Sequence, residues 1–213
     1  MAVYGGLDIS KAATGWGVVG TGIQEAGAWR CPIPAPFNLK NGDVDARYAG
    51  EVGDWYQQRF ASWVSTYRPD FVAIEKPNPG MGKRTKTTVD TSSKWAGQAI
   101  KKEEVGGTTF ATTHFLNGLA LLAALVCTSR NIPTIYVNTS TWRGQKGLGI
   151  GVVPPKSVKD KSAWHKKNAK TYAKACGFEA KSGDAAEGFC LATYLRNQHE
   201  QPGGLFPGLP AAG

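Results

Sequence analysis

The sequence predicts one mixed α/β domain, in which a five-stranded sheet starts with three antiparallel strands, continues with parallel strands and is flanked by helices. Three short β-rich segments come first, and strand-length apolar runs then alternate with segments of helical period. A chain of 213 residues, 41% of them hydrophobic, is long enough to bury one core. We place this domain in residues 1–198 and expect the Pro/Gly-rich residues 199–213 to be a disordered tail.

The first three strands are predicted from composition and from the residues that interrupt them. An apolar segment, Val3–Ile9, is followed by a short turn and by the glycine-flanked segment Thr14–Gly20, which together indicate a hairpin. A third strand is expected over Glu25–Pro32, because Pro34 and Pro36 follow it closely and end regular structure.

The remaining elements alternate between helices and strands. Aromatic and aliphatic residues recur at helical spacing over Val44–Tyr67, and the continuous apolar run Phe71–Glu75 is typical of a buried strand. Further along the chain we expect helices over 113–131, 163–176 and 184–198 and a strand over 134–137. The polar segment 76–113 has no sustained period and is predicted to be an extended loop.

The positive charge of the chain is concentrated in one segment. The formal net charge is +9, and residues 139–176 contain nine lysines and arginines but one acid, so that segment alone accounts for +8. A one-sided positive field favours a polyanionic partner, with nucleic acid ahead of an anionic membrane.

Cysteine spacing and hydropathy predict the cellular compartment of the protein. The four cysteines form no C-x-x-C pair and no zinc-site spacing, which indicates buried thiols in a reducing compartment. The N-terminus does not resemble a secretory signal, and the longest apolar run, residues 115–127, is too short to span a bilayer. We expect a cytoplasmic protein with no membrane partner, and an organellar or phage-encoded origin stays open.

Four carboxylates lie in positions that suggest chemistry. Asp8 interrupts an apolar strand and Glu75 ends another, where a charged group is costly unless a cation or hydrogen bonds compensate it. Asp184 and Glu187 are three residues apart at the start of a helix and can share one face. If the four converge, their oxygens make a site for Mg²⁺ or Mn²⁺.

Each of these acids also has a purely structural interpretation. Asp184 and Glu187 resemble a helix capping box, Glu75 is compatible with a solvated strand edge, and Asp8 is compatible with an Asx-turn. The occurrence of all four in this order favours the functional interpretation.

Four segments together resemble the RuvC family of Holliday junction resolvases, within the ribonuclease H-like superfamily. They are LDISKAATGWGVV, FVAIEKP, HFLNGLALLAALVCTSRNIPTIYVNTSTWR and SGDAAEGFCLATYL. The resemblance implies a ribonuclease H-like fold and an endonuclease that resolves four-way DNA junctions by paired symmetric nicks, acting as a homodimer. It also implies phosphodiester hydrolysis by two divalent ions per active site, Mg²⁺ or Mn²⁺.

The resemblance also implies roles for individual residues. Asp8, Glu75 and Asp184 fall on the catalytic, metal-binding acids of the family, and Glu187 falls where the family usually has a second Asp. Phosphate contacts are expected from the basic segment and the polar segment before it, and Lys166 or Lys167 matches a family lysine. The complete set of expected DNA-binding residues is Lys83, Arg84, Lys86, Arg143, Lys146, Lys156, Lys159, Lys161, Lys166, Lys167 and Lys170.

Other functions remain open at this point. The segment 76–113 is longer than the corresponding part of the family and contains Trp95 among cations, so flaps or forks are alternative substrates. A catalytically silent DNA-binding protein on the same fold is a second alternative. An actin-like ATPase is a third, disfavoured because 213 residues do not provide the two domains it needs.

Overall fold

The computed structural model describes residues 2–10, 13–33, 45–77, 84–90, 99–105 and 110–201. Its central sheet has five strands in the order β3-β2-β1-β4-β7. Strands β1 (Tyr4–Asp8), β2 (Thr14–Gly20) and β3 (Ile23–Trp29) are antiparallel, and β4 (Phe71–Glu75) and β7 (Thr134–Val137) continue the sheet in parallel. The predicted fold class is confirmed.

Four long helices surround the sheet. They are α1 (Ala46–Tyr67), α2 (Phe110–Thr128), α4 (Lys161–Ala175) and α5 (Gly183–Glu200), and the short helix α3 (Thr139–Arg143) follows β7 directly. One of the four, α4, packs against α5. Within the described ranges, no helix combines the length and the apolarity needed to cross a bilayer.

Two expectations need correction. Within the expected loop 76–113, β5 (Arg84–Asp90) and β6 (Ala99–Val105) form a two-stranded antiparallel sheet. Charged residues interrupt the apolar alternation that would have indicated these strands, although their Thr and Val content favours extended structure. Residues 199 and 200, which we expected in the tail, belong to α5 instead; residues 202–213 and Trp95 lie outside the described part of the chain.

The strands alternate between two faces, and each face has its own core. Leu7 and Ile74 pack with α1 and α2 in one cluster of buried residues. Tyr4 and Ala73 pack with α5 and β7 in another. Since successive side chains of a strand point to opposite sides, the residues that share the α5 side with Tyr4 and Ala73 include Asp8 and Glu75.

Glycines let α5 lie directly against β1 and β2. Gly6 and Gly17 are register partners on these strands, and a Cβ atom on either would overlap the α5 backbone around Gly188. Gly15 has the same relation to the backbone of Asp184, and Gly188 to the backbone of Trp16. This contact without intervening side chains fixes the position of the start of α5 over the sheet.

Replacing Gly17 with alanine is expected to destabilise the protein by about 3 kcal/mol or more, because the added methyl group meets the helix backbone, which cannot move aside as a flexible side chain can. Urea unfolding measures the change. Gly50→Ala is the matched control: Gly50 lies within α1 with open space around it, so alanine there should stabilise the helix by about 0.5–1 kcal/mol. Equal stability of the Gly17→Ala and wild-type proteins would contradict the described contact.

Candidate functional site

Two neighbouring parallel strands bring Asp8 and Glu75 side by side. Strands β1 and β4 pair in parallel with Leu7 opposite Ile74, so the next residue on each strand is an acid. Both acids therefore end their strands at the carboxyl edge of the sheet and point to the face that α5 covers. The ends of adjacent parallel strands are a common location for functional side chains in α/β folds.

The first turns of α5 supply the other two acids. Ser182 caps the helix, and its Oγ accepts a hydrogen bond from the backbone amide of Ala185 at 3.1 Å. Asp184 is therefore not the capping residue, and its carboxylate is left for other contacts. Asp184 and Glu187 are 6% and 5% exposed, which is unusual burial for two acids one turn apart.

Three of the four predicted acids converge. Asp8, Asp184 and Glu187 each offer a carboxylate oxygen, and these oxygens all lie within 4.8 Å of one another. Glu187 lies close enough to Asp8 for the two side chains to influence each other's charge. Glu75 lies beside this group rather than within it.

Glu75 is held by residues of α3. Its Oε1 accepts a hydrogen bond from the Thr139 hydroxyl at 2.6 Å, and its Oε2 accepts one from the Trp142 indole nitrogen at 2.9 Å. Since β7 pairs with β4 so that Val137 lies opposite Glu75, the helix that follows β7 begins next to this carboxylate.

Two cationic side chains partner the acids of α5. Arg143 at the end of α3 is 4% exposed, donates a short charged hydrogen bond to Glu187 and lies over the Trp142 ring at 4.2 Å. Lys166 of α4 pairs with Asp184, with 2.7 Å between Nζ and Oδ1. These two pairs offset part of the repulsion among the buried acids.

The site raises the pKa of Asp8 and of Glu75. Burial raises the pKa of Asp8 well above its ordinary value, and the charges of Glu75 and Glu187 add to this, while Arg143 opposes it. Burial also raises the pKa of Glu75, against the opposing effect of the Thr139 hydrogen bond, the Arg143 charge and the Trp142 hydrogen bond. In the absence of a bound cation, Asp8 and Glu75 therefore bind protons more tightly in the folded protein than in the unfolded chain.

The donor set fits a hard divalent cation. It consists of carboxylate oxygens from a strand end and a helix, which Mg²⁺ and Mn²⁺ prefer, and thiolate or imidazole donors do not belong to it. A cation bound among these oxygens would relieve the mutual repulsion of the carboxylates, which is the cause of part of the pKa shift of Asp8.

The residues expected to contact DNA separate into three groups. One group is exposed along the segment after α3 and on α4, and consists of Lys146, Lys156, Lys159, Lys161, Lys167 and Lys170. Lys166 and Arg143 point instead to the acids. Arg84 and Lys86 lie in β5, and Lys83 lies outside the described residues.

Sequence reasoning missed Thr139 and Trp142 and placed Arg143 on the surface. A helix of five residues is too short to show a period, so nothing predicted α3. The available signal was position: the polar sequence N-T-S-T-W-R follows a strand that we expected to be parallel to the one ending in Glu75.

Replacing Asp8 with asparagine is expected to stabilise the metal-free protein at neutral pH. The raised pKa means that the folded state binds a proton more tightly than the unfolded state, so wild-type stability falls as pH rises from about 4 towards the folded-state pKa. The gain from Asp8→Asn should be about 1.4 kcal/mol for each unit by which that pKa is raised, up to the pH of the measurement. Urea unfolding in EDTA between pH 4 and pH 8 measures it.

Asp54→Asn provides the control, because Asp54 is exposed on α1 and contacts Gln58 of the same helix. Its pH profile should match that of the wild-type protein. A wild-type profile that rises with pH over this range, with no gain from Asp8→Asn, would contradict the raised pKa of Asp8.

The comparisons with known proteins support the fold. No family profile matches the chain, and no curated protein matches it in sequence. Among solved structures, the chain is similar to Thermus thermophilus RuvC in complex with a Holliday junction substrate, at TM-score 0.55 and 10% identity over 92% of this chain and 93% of that chain. A second Thermus thermophilus RuvC structure matches at TM-score 0.52 and 12% identity, over 91% and 93%. The chain therefore has the RuvC-like form of the ribonuclease H-like fold.

Proposed function

We propose that this protein is a divalent-metal-dependent endonuclease that cuts branched DNA, with the four-way junction as its principal substrate. The convergence of Asp8, Asp184 and Glu187 within 4.8 Å, on a fold shared with RuvC, carries the proposal. One of the similar structures is described in complex with a Holliday junction, which supports the choice of substrate.

The acids would hold Mg²⁺ or Mn²⁺, two ions per active site. Asp8 would be the central ligand because it lies between Glu75 on the adjacent strand and Glu187 on α5. Bound divalent cations supply an activated water and stabilise the leaving oxygen in phosphodiester hydrolysis. The protein itself provides oxygen donors fixed on two strand ends and a helix, and it orients Glu75 through Thr139 and Trp142.

The exposed lysines of α4 and of the segment before it would bind the phosphates. Lys156, Lys159 and Lys161 lead into α4, and Lys167 and Lys170 continue along it, on the same helix as Lys166 next to Asp184. Phosphate contacts of this kind give affinity that depends on salt and little on base sequence. They would bring the polyanion to a group of acids that alone would repel it.

A homodimer would place two active sites on one junction. Leu121 and Leu125 are 55% and 54% exposed and lie one turn apart on α2, which is apolar around much of its circumference. Exposed apolar side chains in such an arrangement are typical of helix pairing between subunits.

A catalytically silent DNA-binding protein is the alternative that a specific observation favours. Arg143 forms an ion pair with Glu187, and Lys166 forms one with Asp184. A DNA-binding protein that uses no metal would need such pairs to neutralise these acids. Cleavage assays on four-way junction, flap, fork and linear duplex in Mg²⁺ or Mn²⁺ separate this alternative, a flap or fork nuclease and a junction resolvase.

Asp8→Asn, Glu75→Gln and Asp184→Asn are each expected to abolish cleavage of a labelled four-way junction in Mg²⁺, because each removes a charged oxygen donor. Junction binding measured in Ca²⁺ should change little, because the DNA phosphates are bound by cationic side chains, and these three residues are not cationic. Asp54→Asn is the control and should cleave normally. Full cleavage by Asp8→Asn would sink the assignment of the site.

Reversing two exposed charges on α4, Lys167→Glu with Lys170→Glu, is expected to reduce the slope of log K against log salt concentration by about 2. Fluorescence anisotropy of junction binding in Ca²⁺ measures this slope. The same charge change on α1, Arg47→Glu with Arg59→Glu, should leave it unaltered, because α1 packs on the opposite face of the sheet. An equal effect of the two double variants would mean that α4 is not the DNA-binding surface.

Replacing Leu125 with glutamate is expected to convert a dimer into a monomer, because a charge would be buried between two copies of α2. Sedimentation velocity measures the change. Val153→Glu is the matched control, since Val153 is an exposed apolar residue outside α2 and should leave the dimer intact. A Leu125→Glu protein that remains dimeric would exclude this face as the interface.

A further inference from the structure

Both carboxylate oxygens of Glu75 are committed to α3. The hydroxyl of Thr139 donates to one oxygen and the indole nitrogen of Trp142 donates to the other. Two donors on the two oxygens fix the carboxyl group in its plane as well as in position. Without these two hydrogen bonds, repulsion from the neighbouring acids would favour rotamers that turn the Glu75 carboxylate away from them.

The same helix also holds Glu187. Arg143 follows Trp142 immediately, is almost fully buried and donates to the Glu187 carboxylate. Its guanidinium stacks on the Trp142 ring, so the side chain that holds Glu75 also supports the side chain that holds Glu187. Longer than aspartate by one methylene, Glu187 reaches this arginine from the second turn of α5.

The position of α3 is itself well determined. Trp142 is fully buried in the core between the sheet and α5. The backbone amides of Leu148 and Gly151 return to the carbonyls of Trp142 and Arg143 at 2.8 and 3.1 Å, so the segment after the helix is tied to its end. A helix this short has little stability of its own and depends on such contacts.

We propose that α3 is a positioning element for the metal centre: Thr139 and Trp142 fix the Glu75 carboxylate, and Arg143 fixes Glu187. This inference rests on the proposed function, since it describes how the acids of that same site are arranged. It assigns to Arg143 a contact inside the site in place of the surface phosphate contact that the sequence suggested. Residues that orient metal ligands in this way typically contribute 10- to 100-fold to metal affinity or activity.

Two conservative variants test the contacts to Glu75. Thr139→Val removes the hydroxyl and keeps the shape of the side chain, and Trp142→Phe removes the indole donor and keeps an aromatic ring beside Arg143. We expect each to weaken Mn²⁺ binding by about 10-fold or more and to lower the single-turnover cleavage rate similarly. Junction affinity in Ca²⁺ and the circular dichroism spectrum should stay unchanged.

The matched controls remove the same groups elsewhere. Thr193→Val deletes a buried hydroxyl that donates to a carbonyl of its own helix, and Trp63→Phe deletes a buried indole on the far side of the sheet. Both are expected to lower thermal stability without changing Mn²⁺ affinity. If the controls weaken Mn²⁺ binding as much as the α3 variants do, α3 has only a structural role and the proposal is overturned.

Arg143 is tested with Glu187 in a double-mutant cycle. Arg143→Lys keeps the positive charge but loses the planar guanidinium group, and Glu187→Gln removes the negative charge that pairs with Arg143. If Arg143 acts through Glu187, the two substitutions weaken Mn²⁺ binding by less together than the product of their separate effects. Effects that multiply would overturn this part of the proposal, and a folded Arg143→Lys protein is established by circular dichroism.

The experiments distinguish failure of the proposed function from failure of the proposed role of α3. A wild-type protein that binds Mn²⁺ and cuts none of the DNA substrates contradicts the proposed function but leaves the role of α3 measurable through Mn²⁺ affinity. A wild-type protein that cuts DNA while Thr139→Val and Trp142→Phe cut and bind Mn²⁺ equally well contradicts the role of α3 alone.

Discussion

The contact of the α5 backbone with β1 and β2 is the constraint on which the site depends. Gly6, Gly15 and Gly17 on the strands and Gly188 on the helix leave no side chains between the two layers. Asp184 and Glu187 reach Asp8 because the helix that carries them lies this close to the strand that carries it. A methyl group in this contact would separate the acids as well as loosen the core.

The electrostatic arrangement follows from that proximity. The carboxylates of half-buried Asp8 and buried Asp184 and Glu187 lie within 4.8 Å of one another, and burial together with the charges of Glu75 and Glu187 raises the pKa of Asp8. Two cationic side chains reduce the repulsion among these acids: the buried Arg143 and the partly exposed Lys166, each of which pairs with an acid of α5. These cations reduce the repulsion without removing the oxygen-rich character of the group, so the acids keep an arrangement that a divalent ion can use.

The sequence predicted site residues best where a charged residue interrupts or ends an apolar strand. Asp8 and Glu75 stood out because charges in apolar strands are costly, and both strands have the predicted position and direction. The sequence of Asp184 and Glu187 is equally compatible with a capping box, but the structure shows that Ser182 is the cap. The helix α3 was not predictable, because five residues show no period and its hydrogen bonds join residues 64 and 67 positions apart. For the same reason Arg143 looked like one more surface cation in a basic segment.

The pair formed by Lys166 and Asp184 bears on how the centre responds to its surroundings. If Asp184 binds the proposed metal through Oδ1, Lys166 and the divalent ion would compete for the same oxygen, and loading the site would exchange one cation for another. For the ion that replaces Lys166, the local charge would rise by one unit instead of two, and the Lys166 side chain, which is already 39% exposed, would turn into the solvent beside the α4 lysines. Ionic strength would therefore act on metal uptake less than the number of acids suggests, and the basic surface would gain a further positive charge as the centre fills.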